Sequence, residues 1–139
     1  MNTKAFLIFN PAAGARSAAA RLQAQLDALP GAYTLLETTA PGDAARLTRT
    51  ICARERGPKR LIACGGDGTL GEVAGGAMDD PEALVGVWPC GSGNDYARMY
   101  GGEQRFLDLA RQLDAPAVPV DLVSVNDRIA INVVNLGLE

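Results

Sequence analysis

The sequence predicts an α/β fold in three layers, a parallel sheet with helices covering both faces. Two observations favour this class. Short, continuous apolar runs alternate along the chain with segments in which apolar residues recur at helical spacing. Glycine- or proline-rich loops follow several of the runs, and strands buried on both faces of a parallel sheet have this continuous apolar pattern. Ligands of such sheets bind outside the carboxyl ends of the strands.

The first strand and the first helix lie near the amino end. Residues 5–9 form an apolar run that Asn10-Pro11 closes. Leu22, Leu26 and Leu29 then recur at the spacing of one helix face. These segments predict a strand followed by a helix.

Three further strands follow at regular intervals. Residues 33–36 predict the second strand, and a helix begins after it with Asp43 as its N-cap. Residues 60–64 predict the third strand, and a helix over residues 69–78 follows a glycine-rich turn. Residues 85–88 predict the fourth strand.

The pattern changes near the carboxyl end. Two apolar stretches, residues 118–125 and 129–134, flank Asn126-Asp127, which is typical of a hairpin turn. We therefore expect an α/β domain over residues 1–116. Residues 117–139 would be the first strands of a second, β-rich domain that is otherwise absent from this chain.

Composition limits the classes of function. The chain has 139 residues, 47% hydrophobic and 21% charged, which is enough for one domain with its own core. Its net charge of −3 argues against a nucleic-acid partner. Histidine is absent, which excludes a Ser-His-Asp triad and an imidazole base within the chain. Without a long apolar stretch or a CxxC pattern, we expect a soluble, cytoplasmic protein with reduced thiols and no transmembrane segment. The oligomeric state stays open, a homodimer included.

The most informative segment is the turn Gly65-Gly66-Asp67-Gly68-Thr69, between a predicted strand and a predicted helix. Glycines let the main chain approach a ligand closely, and N–H groups at the start of a helix bind anions. Asp67 is unusual there. A carboxylate beside phosphates is repulsive unless a divalent cation lies between them or the carboxylate takes part in proton transfer. The turn therefore favours metal-assisted phosphoryl chemistry.

Thr69 and Glu72 admit a simpler interpretation. Their spacing is that of a capping box, in which both side chains serve only the start of the helix. A capping box does not explain Asp67. The turn also lacks the Gly-Lys-Ser/Thr of a Walker A loop, and Lys4 and Lys59 are the only lysines. Phosphate charge must therefore be neutralised by main-chain amides, a metal ion or arginine.

Two other loops follow predicted strands at the same edge of the sheet, the edge formed by the carboxyl ends of the strands. Asn10-Pro11 and Gly14 belong to the first, which by itself is also typical of a simple turn. Residues 89–95 form the second, where Ser92 and Asn94 offer a hydroxyl and an amide, although a turn and an N-cap would explain them too. Two glycine turns at one edge, each with an aspartate, favour a shared ligand.

Taken in order, these segments resemble the catalytic domain of diacylglycerol kinases and bacterial lipid kinases, a group that includes sphingosine and ceramide kinases. The matching segments are NPAAG from Asn10, ETTAPGDA from Glu37, GGDGTLGE from Gly65 and PCGSGNDYAR from Pro89. GGDGT alone is less specific, because NAD kinases and phosphofructokinases share similar turns. The resemblance covers nearly the whole chain and implies a nucleotide-binding domain of the NAD kinase and phosphofructokinase type.

The resemblance also implies an ATP site and a magnesium network. Spacing from the second helix makes Thr38 the threonine of that site, with Thr39 as the second choice. Asp67 resembles the aspartate of the magnesium network, direct or indirect, and Asp121 a second aspartate linked to it. The residues implied at the nucleotide are Asn10, Pro11, Gly14, Thr38, Gly65, Gly66, Asp67, Gly68, Thr69, Glu72, Ser92 and Asn94.

The activity so implied is transfer of the ATP γ-phosphoryl group to a lipid hydroxyl, diacylglycerol before other lipids, at a membrane surface to which the protein attaches peripherally. In the family a second domain supplies the general base, so this chain would bind ATP and Mg²⁺ without turning over lipid alone. Two alternatives stay open: an NAD kinase-like or other small-molecule kinase, and a nucleotide- or lipid-binding module without catalysis. Asp67 argues against the module, because a pure binder needs no carboxylate at the phosphates.

Overall fold

A computed structural model describes residues 3–14, 17–29, 31, 33–90, 106–117, 119–120, 122–125 and 128–130. The elements in chain order are β1 (Lys4–Phe9), α1 (Ser17–Asp27), β2 (Tyr33–Glu37), α2 (Asp43–Arg54), β3 (Lys59–Gly65), α3 (Asp67–Ala77), β4 (Ala83–Pro89), α4 (Leu109–Asp114), β5 (Val123–Val125) and β6 (Arg128–Ala130). The first four predicted strands and the three helices between them are confirmed. Helix α4 was not predicted, because six residues are too few to show a helical period.

The first four strands form one parallel sheet in the order β2-β1-β3-β4. Phe9 at the end of β1 pairs with Glu37 on β2 and with Cys64 on β3, and Gly65 pairs with Pro89 on β4. The carboxyl ends of all four strands therefore lie level at one edge. The connection after β1 leads to β2 on one side of β1, and the connection after β2 leads to β3 on the other side. The strand order therefore reverses between β1 and β3, and ligands of such sheets bind at this topological switch point.

Alternate residues of the central strands face two separate cores. On one face Phe6, Ile8 and Leu61 pack against α2 and α3, and on the other Leu7 and Ile62 pack against α1 and α4. Leu7, Ile8 and Leu61 have no exposed surface, and burial of each such side chain contributes about 1.5–3 kcal/mol. The predicted sheet with both faces covered is confirmed.

The starts of two helices differ from the predictions. Asp43 is the first residue of α2 and not its N-cap, which is Gly42 in a left-handed conformation with φ 90°. Helix α3 begins at Asp67, two residues before the predicted start, because β3 continues to Gly65 and leaves only Gly66 between strand and helix. Thr69 is thus the third residue of α3, and the capping box suggested for it is wrong.

The predicted hairpin is present as two short antiparallel strands. Val125 on β5 pairs with Arg128 on β6, so Asn126-Asp127 connect them, although those two residues and residues 131–134 lie outside the described residues. The division into domains at residues 116 and 117 stays a prediction. No helix in the described ranges has the length and apolar character needed to span a membrane.

Candidate functional site

Main-chain hydrogen bonds join the strand ends at the carboxyl edge of the sheet. The Asn10 N–H donates to the Cys64 carbonyl at 3.0 Å, and the Thr38 N–H donates to the Phe9 carbonyl at 2.9 Å. The Cys90 N–H donates in turn to the Gly65 carbonyl at 3.0 Å. The loops that follow β1, β2, β3 and β4 are therefore fixed relative to one another, and this edge is a rigid platform.

A cavity of about 600 Å³ opens at this edge and is called here the carboxyl-edge cavity. Its volume is within the range of small-molecule sites. Three segments line it: the loop after β1, the loop between β2 and α2, and the start of α3. Six residues predicted at the nucleotide are brought together in its lining: Asn10, Pro11, Thr38, Gly68, Thr69 and Glu72.

The other predicted residues have different positions. Gly14, Gly65, Gly66 and Asp67 belong to the same loops or strand ends but do not line the cavity. Ser92, Asn94 and Asp121 lie outside the described residues.

Two threonines in the lining are almost fully buried. Thr38 is 8% exposed and Thr69 is 6% exposed, and both line the cavity. Within the described part of the chain neither hydroxyl has a hydrogen-bond partner. Neither oxygen is shut off from solvent, because the Thr48 hydroxyl is the one buried side-chain atom without a partner among the described residues, so both hydroxyls are open to a ligand in the cavity.

Thr39 differs from Thr38 in this respect. Its hydroxyl donates to the Asp43 carboxylate at 2.7 Å, so its proton is already committed. Of the two threonines considered from the sequence, Thr38 is the one whose hydroxyl can donate to a ligand without breaking a bond.

Asn10 makes a local turn at the end of β1. Its side-chain oxygen accepts a hydrogen bond from the Ala12 N–H at 3.0 Å, and its carbonyl accepts one from the Ala13 N–H at 3.1 Å. This arrangement is an Asx turn, which fixes the direction of the side chain. The side-chain NH₂ group has no acceptor among the described residues and can donate to a ligand.

Glu72 connects α3 to the start of α2. Its Oε1 accepts a hydrogen bond from the Ala45 N–H at 3.5 Å, near the amino end of α2, where Gly42 has no side chain to cap the helix. A carboxylate at this position also interacts favourably with the positive end of the helix dipole. The role suggested by the sequence, a cap of its own helix, is thus replaced by a contact to the neighbouring helix.

The lining of the carboxyl-edge cavity is acidic. Glu37 and Glu72 line it, whereas none of the described lysines or arginines does. A polyphosphate placed there needs a compensating positive charge, because two carboxylates raise the cost of adding anionic oxygens.

Asp67 is the first residue of α3 and is half-buried. The described residues contain no group of three or more acidic, histidine or cysteine side chains that could hold a metal by themselves. Mg²⁺ does not need one, since it is usually bound by one or two carboxylates together with phosphate oxygens and water. The residues present therefore fit Mg²⁺ bound together with a nucleotide.

The thiols near the site are not nucleophiles. Cys64 and Cys90 are free and buried, and burial raises the pKa of both thiols. They remain protonated at neutral pH and serve as packing side chains.

Comparison with known proteins identifies the family. The model of the diacylglycerol kinase catalytic domain matches residues 4–125. The chain belongs to this family. A protein of Chromohalobacter salexigens named "Probable lipid kinase YegS-like" is 38% identical over 100 residues, which cover 69% of this chain and 32% of that protein. The diacylglycerol kinase of Bacillus subtilis is 36% identical over 103 residues, which cover 72% of this chain and 33% of that enzyme.

The fold of this diacylglycerol kinase-family domain also matches a solved structure. The crystal structure of a diacylglycerol kinase from Bacillus anthracis superposes with a TM-score of 0.72 at 27% identity, over 91% of this chain and 44% of that one. The chain thus spans about a third of the length of the curated relatives that it matches.

Sequence reasoning missed one wall of the cavity. Glu37, Ala40, Pro41 and Ala44 line it but were not among the predicted site residues. All four lie at or after the carboxyl end of β2. The rule that ligands bind at the carboxyl ends of parallel strands, applied to the second strand as well, would have found them.

Proposed function

We propose that this domain binds ATP together with Mg²⁺ and that the full-length protein transfers the γ-phosphoryl group to a lipid hydroxyl, diacylglycerol before other lipids. One observation carries the proposal: two threonine side chains that are almost fully buried, and whose hydroxyls have no partners among the described residues, line one cavity beside the glycine turn that bears Asp67. The family and the named activity of the Bacillus subtilis relative support the choice of reaction.

The neutral groups of the cavity suit the uncharged part of a nucleotide. Asn10, Thr38 and Thr69 offer donors and acceptors of the kind that recognise sugar hydroxyls and ring nitrogens. The phosphates would lie against the glycine turn at the start of α3, because the amino end of a helix favours anions. Ser92 and Asn94 are proposed to complete this part of the site.

Asp67 would hold Mg²⁺, with Asp121 proposed as its second carboxylate. Mg²⁺ bound with ATP neutralises phosphate charge and helps to orient the γ-phosphoryl group. The acidic lining of the neighbouring carboxyl-edge cavity supports this requirement, since it offers a bound nucleotide two carboxylates and no described lysine or arginine. The task of this chain is then to position the nucleotide, and positioning supplies most of the catalysis in phosphoryl transfer.

Removal of the proton from the lipid hydroxyl needs a general base, and this chain contains no histidine to supply one. We infer that this base and the lipid cleft belong to the part of the full-length protein beyond this chain, and that the protein meets its substrate by peripheral contact with a membrane surface. The fragment alone is then expected to bind ATP without transferring phosphate to lipid.

An acceptor panel tests the proposal. Full-length protein is incubated with γ-labelled ATP, Mg²⁺ and, in separate reactions, vesicles of diacylglycerol, sphingosine or ceramide, or NAD. We expect label in diacylglycerol and none when EDTA replaces Mg²⁺. Label in NAD alone would favour the NAD kinase-like alternative. ATP binding without transfer to any acceptor would favour a non-catalytic module, and absence of ATP binding would overturn the proposal.

A further inference from the structure

The Asp43 carboxylate holds the loop between β2 and α2 through three hydrogen bonds to one oxygen. Its Oδ2 accepts from the Thr39 N–H at 2.8 Å, from the Thr39 hydroxyl at 2.7 Å and from the Ala40 N–H at 3.1 Å. Hydrogen bonds to an ionised acceptor are about twice as strong as those between neutral groups. Thr39 and Ala40 both line the carboxyl-edge cavity, so the carboxylate fixes one of its walls.

These bonds determine which of the two threonines lines the cavity with a hydroxyl that makes no hydrogen bond to another described residue. Thr38 is anchored through its main chain to the Phe9 carbonyl, and its side chain lies in the lining. The next residue, Thr39, is turned so that both its N–H and its hydroxyl point to Asp43. The Thr39 hydroxyl and N–H also lower the pKa of Asp43 to about 2, so the carboxylate is ionised at every physiological pH.

A role in which Asp43 only stabilises the start of α2 accounts for fewer of its hydrogen bonds. An acidic residue in the first turn of a helix interacts favourably with the helix dipole, and Asp43 Oδ1 lies 3.4 Å from Arg46 Nη2. The other oxygen, however, bonds backward to the loop and not to the N–H groups of α2. The side chain therefore acts mainly on the cavity wall.

We propose that Asp43 is a positioning residue for the nucleotide, which fixes the loop after β2 so that the Thr38 hydroxyl faces the bound ATP. The inference rests on the proposed function, because it assigns the ligand of the carboxyl-edge cavity as ATP. Asp43 does not line the carboxyl-edge cavity and acts on it only through the loop, so its loss is expected to change the affinity for ATP and to leave the chemical step in place.

The test compares steady-state kinetics of full-length variants at saturating lipid. Asp43→Ala removes all three bonds, Thr39→Val removes only the hydroxyl bond, and Asp43→Asn keeps an acceptor oxygen without the charge. The matched control is Thr50→Val on the same helix, whose hydroxyl donates to the Arg46 carbonyl at 3.0 Å and does not line the cavity.

We expect Asp43→Ala to raise the KM for ATP about tenfold, and Thr39→Val about threefold, with kcat within about twofold of the wild type. Asp43→Asn should restore part of the affinity, and Thr50→Val should leave KM unchanged. An unchanged KM in Asp43→Ala and Thr39→Val, with wild-type protein that binds ATP, overturns this inference alone. A wild-type protein that does not bind ATP overturns the proposed function itself. Should Asp43→Ala not fold, Thr39→Val decides, because it retains the carboxylate.

Discussion

Gly14 lies directly against the main-chain carbonyl of Cys90, so close that a Cβ on Gly14 would overlap the Cys90 oxygen. Gly14 also has φ 69°, a left-handed conformation that side chains other than glycine rarely adopt. The contact joins the loop after β1 to the end of β4, two segments far apart in sequence. Glycine at this position is therefore required by packing at the edge of the candidate site, whatever ligand is bound there.

Gly14→Ala tests this contact. The added methyl group would strain the left-handed conformation and push the loop away from Cys90, so we expect a loss of unfolding free energy of about 2 kcal/mol or more. Urea denaturation measures it. Gly31→Ala is the control, because a Cβ at Gly31 would meet nothing within 4 Å, and its effect should be below about 1 kcal/mol. Equal effects of the two substitutions would contradict the contact.

The Thr48 hydroxyl is buried between α2 and α3 without a hydrogen-bond partner in the described part of the chain. Thr48 has no exposed surface, and its side chain packs against Gly76. A buried hydroxyl that makes no bond costs free energy, and valine has nearly the same shape without it. We expect Thr48→Val to raise the unfolding free energy by about 1 kcal/mol. A loss of stability on urea denaturation would show that the hydroxyl has a partner.

A buried ion pair lies at the opposite edge of the sheet from the cavity. Lys59, 2% exposed at the first residue of β3, has its Nζ 2.5 Å from Asp80 Oδ2. Asp80→Asn would leave the lysine buried without a counter-charge, and we expect a loss of about 3 kcal/mol in unfolding free energy. The KM for ATP should not change, because the pair is distant from the carboxyl ends of the strands.

An exposed pair provides the control for this substitution. Lys4 Nζ lies 2.6 Å from Glu55 Oε2, but the lysine side chain is 61% exposed. Solvent screening makes such pairs worth less than about 1 kcal/mol, so Lys4→Gln should have a small effect. If Asp80→Asn lowers the unfolding free energy by no more than Lys4→Gln does, burial does not strengthen the Lys59–Asp80 pair.

The contribution of Asp43 to stability should depend on pH in a defined direction. The Thr39 hydrogen bonds lower its pKa in the folded protein to about 2 from the ordinary 3.8. A carboxyl group with a lowered folded pKa stabilises the fold above its unfolded pKa, and this stabilisation disappears as the pH falls toward the folded value. The stability difference between wild type and Asp43→Asn should therefore be constant above about pH 5 and shrink between about pH 4 and pH 2. Denaturation at a series of pH values measures it, and a difference independent of pH would exclude the assigned bonds.

The sequence predicts the sheet well because the apolar runs that indicate strands are local features of the chain. Continuous apolar runs such as residues 5–9 and 61–64 are typical of strands buried on both faces, and the structure has strands there. Helix starts are predicted less well. Asp43 has the chemistry of an N-cap, but the left-handed Gly42 takes that position, and the carboxylate bonds to the loop before it. Such a choice depends on the path of the loop, which side-chain chemistry alone does not determine.

The candidate site shows the same limit. Asn10, Thr38 and Thr69 were predicted and do line one cavity. The contact from Glu72 to Ala45 joins two helices, and no spacing rule within one helix could indicate it. Glu37 was missed because its segment was searched only for the threonine of the site, although the strand that carries Glu37 ends at the same edge.

The role of Asp67 at the start of α3 is the central claim, and the turnover of Asp67→Asn tests it most directly. The substitution keeps the shape of the side chain and removes the charge proposed to hold Mg²⁺. In full-length protein with γ-labelled ATP and diacylglycerol vesicles, we expect kcat to fall about 100-fold or more with little change in the thermal midpoint. Asp79→Asn, at an exposed carboxylate beyond the other end of α3, should retain wild-type turnover. Near-normal kcat in Asp67→Asn would contradict the metal role and with it the proposed mechanism.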